Sequence, residues 1–171
     1  MALSRRDFLK LCAGGAATIS MSGFLAPFLK EAVAAENPAV IWLQGAACTG
    51  CSISLLNTVH PDIKEVLLNV ISLKYHSNVM GAAGELAMET MKKTAEDKAG
   101  EFYLVVEGAV PLKDEGIYCT VGETHDGQPI TFANLVQEIG QKAAAVINVG
   151  TCSAYGGIPA ADPNPTGCVP V

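Results

Sequence analysis

Between residues 38 and 44 the chain is almost unbrokenly apolar, running Ala39-Val40-Ile41-Trp42-Leu43 before it closes on Gln44. A short apolar run with little alternation reads as a strand buried on both faces. Residues 53–59 then read as a short helix that ends before Pro61. The run Val66-Leu67-Leu68-Asn69-Val70-Ile71 predicts a second strand, and Tyr75-His76-Ser77-Asn78 a polar loop. Ala83, Ala87, Met91 and Ala95 recur at i+4 with Leu86 beside them, so residues 82–98 read as an amphipathic helix stopped by Gly100. Phe102-Tyr103-Leu104-Val105-Val106 is a third strand with Glu107-Gly108 at its exit. Residues 111–129 are polar and punctuated by Gly116, Gly122 and Gly127, as in a long loop. Thr131 can cap a helix built on Phe132, Leu135, Val136 and Ile139 and closed by Gly140. Residues 144–149 form a fourth strand, followed at once by Gly150-Thr151-Cys152.

Strands that alternate with helices predict an α/β fold, a flavodoxin-like doubly wound parallel sheet. Ligands of such sheets gather at the carboxyl ends of the strands. Cys48 and Cys51 follow the first strand, Glu107 the third and Cys152 the fourth, so the three thiols can meet at one edge. The last stretch, residues 162–171, reads as an open loop with no closing helix or strand. The expectation is a sheet incomplete at the C-terminus, belonging to a longer polypeptide.

Composition narrows the function. The chain has 171 residues, 50% of them hydrophobic and 16% charged, enough for one ordinary core. A formal charge of −6 without a basic stripe argues against a nucleic-acid partner. Six cysteines in a chain of this length are too few for a disulfide scaffold, and they sit in Gly-rich contexts that suit ligation.

The N-terminus reads as an address. Ser4-Arg5-Arg6-Asp7-Phe8-Leu9-Lys10 has the pattern of a twin-arginine export signal, followed by an apolar stretch too broken by glycine for a membrane span. Ala32-Val33-Ala34 offers a cleavage site. Residues 1–34 are therefore expected to be a signal peptide, carrying Cys12 with it, and residues 35–171 the mature domain. The implied route is the twin-arginine machinery and the destination the periplasm. Because that route moves folded proteins, it favours a cofactor inserted before export.

Cys48-Thr49-Gly50-Cys51 admits three readings. A redox disulfide needs the pair at a helix start. A zinc knuckle needs a second close pair, which is absent. An iron–sulfur cluster needs four thiolates from scattered loops, and Cys152 between Gly150 and Gly156-Gly157 is a third. The pattern leaves cluster, redox pair and structural thiols open.

Four motifs in order carry a resemblance: Cys48-Thr49-Gly50-Cys51-Ser52, Glu107-Gly108-Ala109-Val110-Pro111, Gly150-Thr151-Cys152-Ser153-Ala154-Tyr155-Gly156-Gly157 and Asn164-Pro165-Thr166-Gly167. With the export signal, they resemble the N-terminal part of the small subunit of a periplasmic nickel–iron hydrogenase. Gln44-Gly45, His60-Pro61 and Tyr118-Cys119-Thr120-Val121-Gly122 are similar to the nickel–iron–selenium branch. The resemblance implies that Cys48, Cys51 and Cys152 bind a proximal [4Fe–4S] cluster. Its fourth ligand would lie in a later Gly-Cys-Pro-Pro motif, and further iron–sulfur clusters would lie beyond that. Gly50 and Gly157 stand where oxygen-tolerant members carry extra cysteines, which implies an ordinary cubane. Ala47 stands where many members have Glu.

The implied function is electron transfer. A large subunit would hold the Ni–Fe centre that splits H₂, in a heterodimer with this chain, and an electron carrier such as a c-type cytochrome would serve as acceptor. The rivals are a stand-alone exported iron–sulfur carrier and an exported thiol–disulfide oxidoreductase. Cys119 and Cys168 are expected to be packed thiols, with Cys168 as a substitute fourth ligand the minor alternative. Thr49 is expected to bond the turn backbone rather than relay a proton, and Glu107 to lie near the cluster or the subunit interface or to be a solvated loop carboxylate. His60 and His76 are expected in packing or surface roles, and Met80, Met88 and Met91 in the core.

Overall fold

The first strand, β1 (Ala39–Gln44), is the spine of a four-stranded parallel sheet. The computed structural model describes residues 37–124 and 126–171; the export signal, its cleavage site and Cys12 lie outside them. β1 pairs on one side with β2 (Ser72–His76) and on the other with β3 (Tyr103–Glu107), which pairs in turn with β7 (Ala145–Val149). The order β2-β1-β3-β7 is that of a doubly wound sheet, as expected from the alternation of elements.

Alternation along β1 builds two cores. Ala39, Ile41 and Leu43 point to one face, where Leu104 and Val106 of β3 join them. That face is covered by α2 (Gly84–Asp97), through Ala87, Met91 and Ala95, and by α3 (Phe132–Gly140), through Phe132, Leu135 and Ile139. Val40, Trp42 and Val105 point to the other face and pack with Leu55 of α1 (Gly50–Leu56), Ile71, Leu73 and Val149. Met80 and Met88 pack against the first core and Met91 lies inside it, as expected. Thr131 caps α3 by accepting the Asn134 N–H at 3.4 Å.

Four expectations need correction. Val66–Val70 is a π-helical turn, not a strand. Asp62 accepts the Glu65 N–H at 2.7 Å and starts a helical turn, Ile63–Glu65, which runs on until the Ile71 N–H meets Val66 O at 2.9 Å. A five-residue apolar run suits either a helix or a strand, and the Asp62 cap decided it. The strand comes later, so Tyr75 and His76 are buried strand residues rather than polar loop.

The stretch read as loop holds β4 (Val110–Pro111) and a hairpin of β5 (Thr120–Glu123) with β6 (Pro129–Thr131). The end of the chain is also tied down. α4 (Gly150–Tyr155) is followed by β8 (Cys168–Val169), antiparallel to β4. Asn164 arranges this by accepting the Cys168 N–H at 2.7 Å and donating to Cys168 O at 2.9 Å. The Leu112 and Lys113 amides then close on Gly167 O and Thr166 O, each at 3.1 Å.

Candidate metal centre

The sheet register aligns the last residues of its three central and edge strands. Gln44 of β1 stands opposite Glu107 of β3, and Glu107 opposite Val149 of β7. The loops that leave these residues carry the three thiols. After Gln44 the chain is stitched to the Glu107 loop: the Gly45 N–H donates to Glu107 O at 2.7 Å, and Ala46 and Ala109 exchange two bonds of 3.0 Å. This pairing is the local role of Glu107-Gly108-Ala109.

Cys48 is exposed, while Cys51 and Cys152 are half-buried, and all three are free. Thr49 takes a left-handed conformation (φ 66°) at the start of α1, and its side chain makes no cap hydrogen bond, contrary to expectation. Cys51 Sγ lies 3.8 Å from Val149 O, which brings it against the loop that bears Cys152. Gly150 makes that approach possible: at φ 80°, a Cβ there would stand 2.4 Å from Cys51 Sγ. A Cβ on Gly157 would stand 2.8 Å from Cys152 Sγ. The missing side chains leave space around two of the thiols.

Electrostatics link the three. Burial pushes the Cys51 thiol up, and the charges of Glu107, Cys48 and Cys152 push it further in the same direction. An attacking thiol needs the opposite shift, whereas a bound cationic centre offsets this repulsion by holding the thiolates deprotonated. Among the described residues, no trio of His, Cys, Asp or Glu closes tightly enough for a single ion.

Beneath the Cys48–Cys51 loop lies a polar network that sequence reasoning missed. Glu107 is 1% exposed, so it is not a solvated loop carboxylate. Its Oε1 accepts the Cys51 N–H at 3.0 Å. Its Oε2 accepts the Ser52 hydroxyl at 2.5 Å, Gln44 Nε2 at 3.1 Å and Trp42 Nε1 at 3.2 Å. Burial works to raise this carboxyl, but the bonds from Ser52, Gln44 and Trp42 outweigh it and hold the carboxyl below its ordinary value. His76, also 1% exposed, stacks on Trp42 with ring centroids 5.3 Å apart and places Nε2 3.1 Å from the Ser52 hydroxyl. The available signal was positional: a Gln and a Glu end neighbouring strands beside a Cys-x-x-Cys.

The other cysteines stand apart from the trio. Cys168 is buried in β8, with Sγ 3.2 Å from the Thr166 hydroxyl. Burial and the nearby Cys168 push the Cys119 thiol up, and Cys119 packs against the core. Both are packed thiols, as expected, and His60 is exposed.

Fold and site together define a doubly wound α/β protein that gathers thiols at the carboxyl edge of its sheet. The chain belongs to the family described as NADH ubiquinone oxidoreductase, 20 Kd subunit, which matches residues 48–171. It is 50% identical to the periplasmic [NiFeSe] hydrogenase small subunit of Desulfomicrobium baculatum, over 98% of this chain and 55% of that protein. It is 43% identical to the hydrogenase-2 small chain of Escherichia coli K12, over 98% of this chain and 44% of that one. The chain thus spans about half the length of the curated relatives it matches.

Solved structures agree. The H₂-activated [NiFeSe] hydrogenase of Desulfomicrobium baculatum matches with a TM-score of 0.77 and 52% identity, over 80% of this chain and 50% of that one. The oxidised recombinant [NiFeSe] hydrogenase of Desulfovibrio vulgaris Hildenborough matches with a TM-score of 0.77 and 53% identity, over 80% and 48%. The resemblance to hydrogenase small subunits read from the motifs is borne out by these relatives.

Proposed function

We propose that this chain is the electron-transfer part of a hydrogenase small subunit, with Cys48, Cys51 and Cys152 holding a [4Fe–4S] cluster. The observation that carries the proposal is the approach of Cys51 Sγ to Val149 O, 3.8 Å away on the strand that leads to Cys152, with Gly150 leaving room beside it and all three thiols free. When bound, the cluster supplies one-electron redox chemistry. The chain's own part is to present thiolates from two loops, bury one side of the site and fix the Cys51 backbone through Glu107. The resemblance to hydrogenase small subunits implies a fourth ligand in addition to these three cysteines.

The partner is a large subunit with the Ni–Fe centre at which H₂ is split. Tyr155 and Ile158, which follow Cys152, are 81% and 89% exposed. Large apolar side chains in the open beside a redox site support a large protein partner. The names of the relatives support a periplasmic location; export by the twin-arginine machinery and removal of residues 1–34 rest on the Ser4–Lys10 motif and the Ala32-Val33-Ala34 site of the sequence. An electron carrier such as a c-type cytochrome completes the chain of transfer. Among the described residues, no helix is long and apolar enough to cross a membrane.

Iron and acid-labile sulfide assays on anaerobically prepared protein test the reading. About four of each per site are expected for this cluster type. Neither element, with Cys48 and Cys51 oxidised as a pair, would return the site to a thiol–disulfide oxidoreductase.

A further inference from the structure

The Ser52–Glu107 network has a direction. The Asn78 N–H donates to His76 Nδ1 at 3.2 Å, so the neutral ring carries its proton on Nε2. That nitrogen donates to the Ser52 hydroxyl oxygen, which leaves the hydroxyl hydrogen for Glu107. Ser77 Oγ lies 2.6 Å from Gln44 Oε1 and 2.9 Å from Asn78 Oδ1; its hydrogen on the nearer acceptor holds Gln44 Nε2 toward Ser52, at 2.8 Å, and toward Glu107. Ser52 and Gln44, the two orientable groups that touch the carboxylate, both end as donors to it. With Trp42 and the Cys51 amide, Glu107 receives four hydrogen bonds. A neutral acid would have to aim its own hydrogen at a donor, so the site is built for the anion.

One of those four donors is the amide of a proposed ligand. Amide hydrogen bonds to cluster sulfur stabilise the reduced, more negative state. The Cys51 amide is instead committed to Glu107 Oε1. A fixed negative charge nearby opposes an added electron by Coulomb repulsion, which is weakly screened in a buried setting. Both effects have the same sign.

We infer that Glu107 is a positioning residue whose carboxylate, held by Ser52, Gln44 and Trp42, anchors the Cys51 backbone and lowers the reduction potential of the group bound by the three thiols. This rests on the cluster reading above.

The test is a redox titration, followed by electron paramagnetic resonance, of the cluster-loaded protein with its partner subunit. Wild type, Glu107→Gln and Ser52→Ala are compared after iron and sulfide have been counted. Glu107→Gln keeps the shape and removes the charge. It is expected to raise the reduced-to-oxidised ratio at fixed potential about tenfold, a midpoint shift of about 59 mV upward for one electron. Ser52→Ala keeps the charge and removes its shortest hydrogen bond, and is expected to shift the midpoint downward. A wild type without iron ends the cluster reading itself. A loaded wild type whose midpoint is unmoved, or moved in the same direction, by the two variants overturns the inference. If Glu107→Gln fails to load, the direction of the Ser52→Ala shift decides alone.

Discussion

The backbone N–H of Cys51 donates to Oε1 of Glu107 at 3.0 Å, across 56 residues of sequence. This bond joins the helix after β1 to the end of β3 and so makes the thiol loop part of the sheet edge. The five cysteines of the described residues are not equal in consequence. Cys51→Ala and Cys152→Ala are expected to lose most bound iron, and Cys48→Ala likewise. Cys119→Ala and Cys168→Ala are expected to keep it. Cys168→Ala should cost about 1–2 kcal/mol, the scale of a small cavity at a buried site. Iron content per protein, with urea midpoints for the last two variants, checks both halves.

Gly150 has no tolerated replacement. Gly150→Ala would set a Cβ 2.4 Å from Cys51 Sγ and force an L side chain to φ 80°. Left-handed strain alone costs about 1–2 kcal/mol, and the displaced sulfur should reduce iron loading as well. Gly100→Ala, at φ 77° with nothing within 4 Å of the added Cβ, isolates the strain. Its stability loss should be of similar size with iron loading intact.

Acid should weaken the fold through His76. Burial lowers its pKa, against the raising pull of Glu107 and of its own backbone. A proton taken up in the unfolded state, near pH 6.5, is refused by the folded one. Stability is therefore fully present above that pH and is lost as pH falls toward the lower, folded value. His76→Gln removes this dependence. Urea midpoints of the variant should change less between pH 7.5 and 5.5 than those of wild type, although the variant is less stable throughout because the ring stacked on Trp42 is lost.

Exposed apolar side chains beside Cys152 predict a partner contact that folding does not need. Ile158→Asp and Tyr155→Asp alter residues 89% and 81% exposed and should leave thermal stability within about 0.5 kcal/mol of wild type. Co-purification with the large subunit should fall by at least about tenfold, the scale of losing a hot-spot contact. Unchanged co-purification with both substitutions would remove this surface from the interface.

Local sequence determined the elements whose signals are periodic or capped. β1 follows from an apolar run closed by Gln44, α2 from Ala87, Met91 and Ala95 at i+4, and α3 from the Thr131 cap. Alternation of such elements was enough for a parallel sheet and for thiols at its carboxyl edge. Short segments were not decided locally. Val66–Val70 suits a strand or a helix equally until the Asp62 cap is counted, and two-residue strands such as β4 and β8 exist only because they pair. Tertiary structure alone decided the surroundings of Glu107. Its donors come from β1, α1 and the amide of Cys51, and they converge only when the register sets Gln44 beside Glu107. A carboxylate at a strand end is solvated or buried according to what the neighbouring strands bring to it, and no window of sequence contains that information.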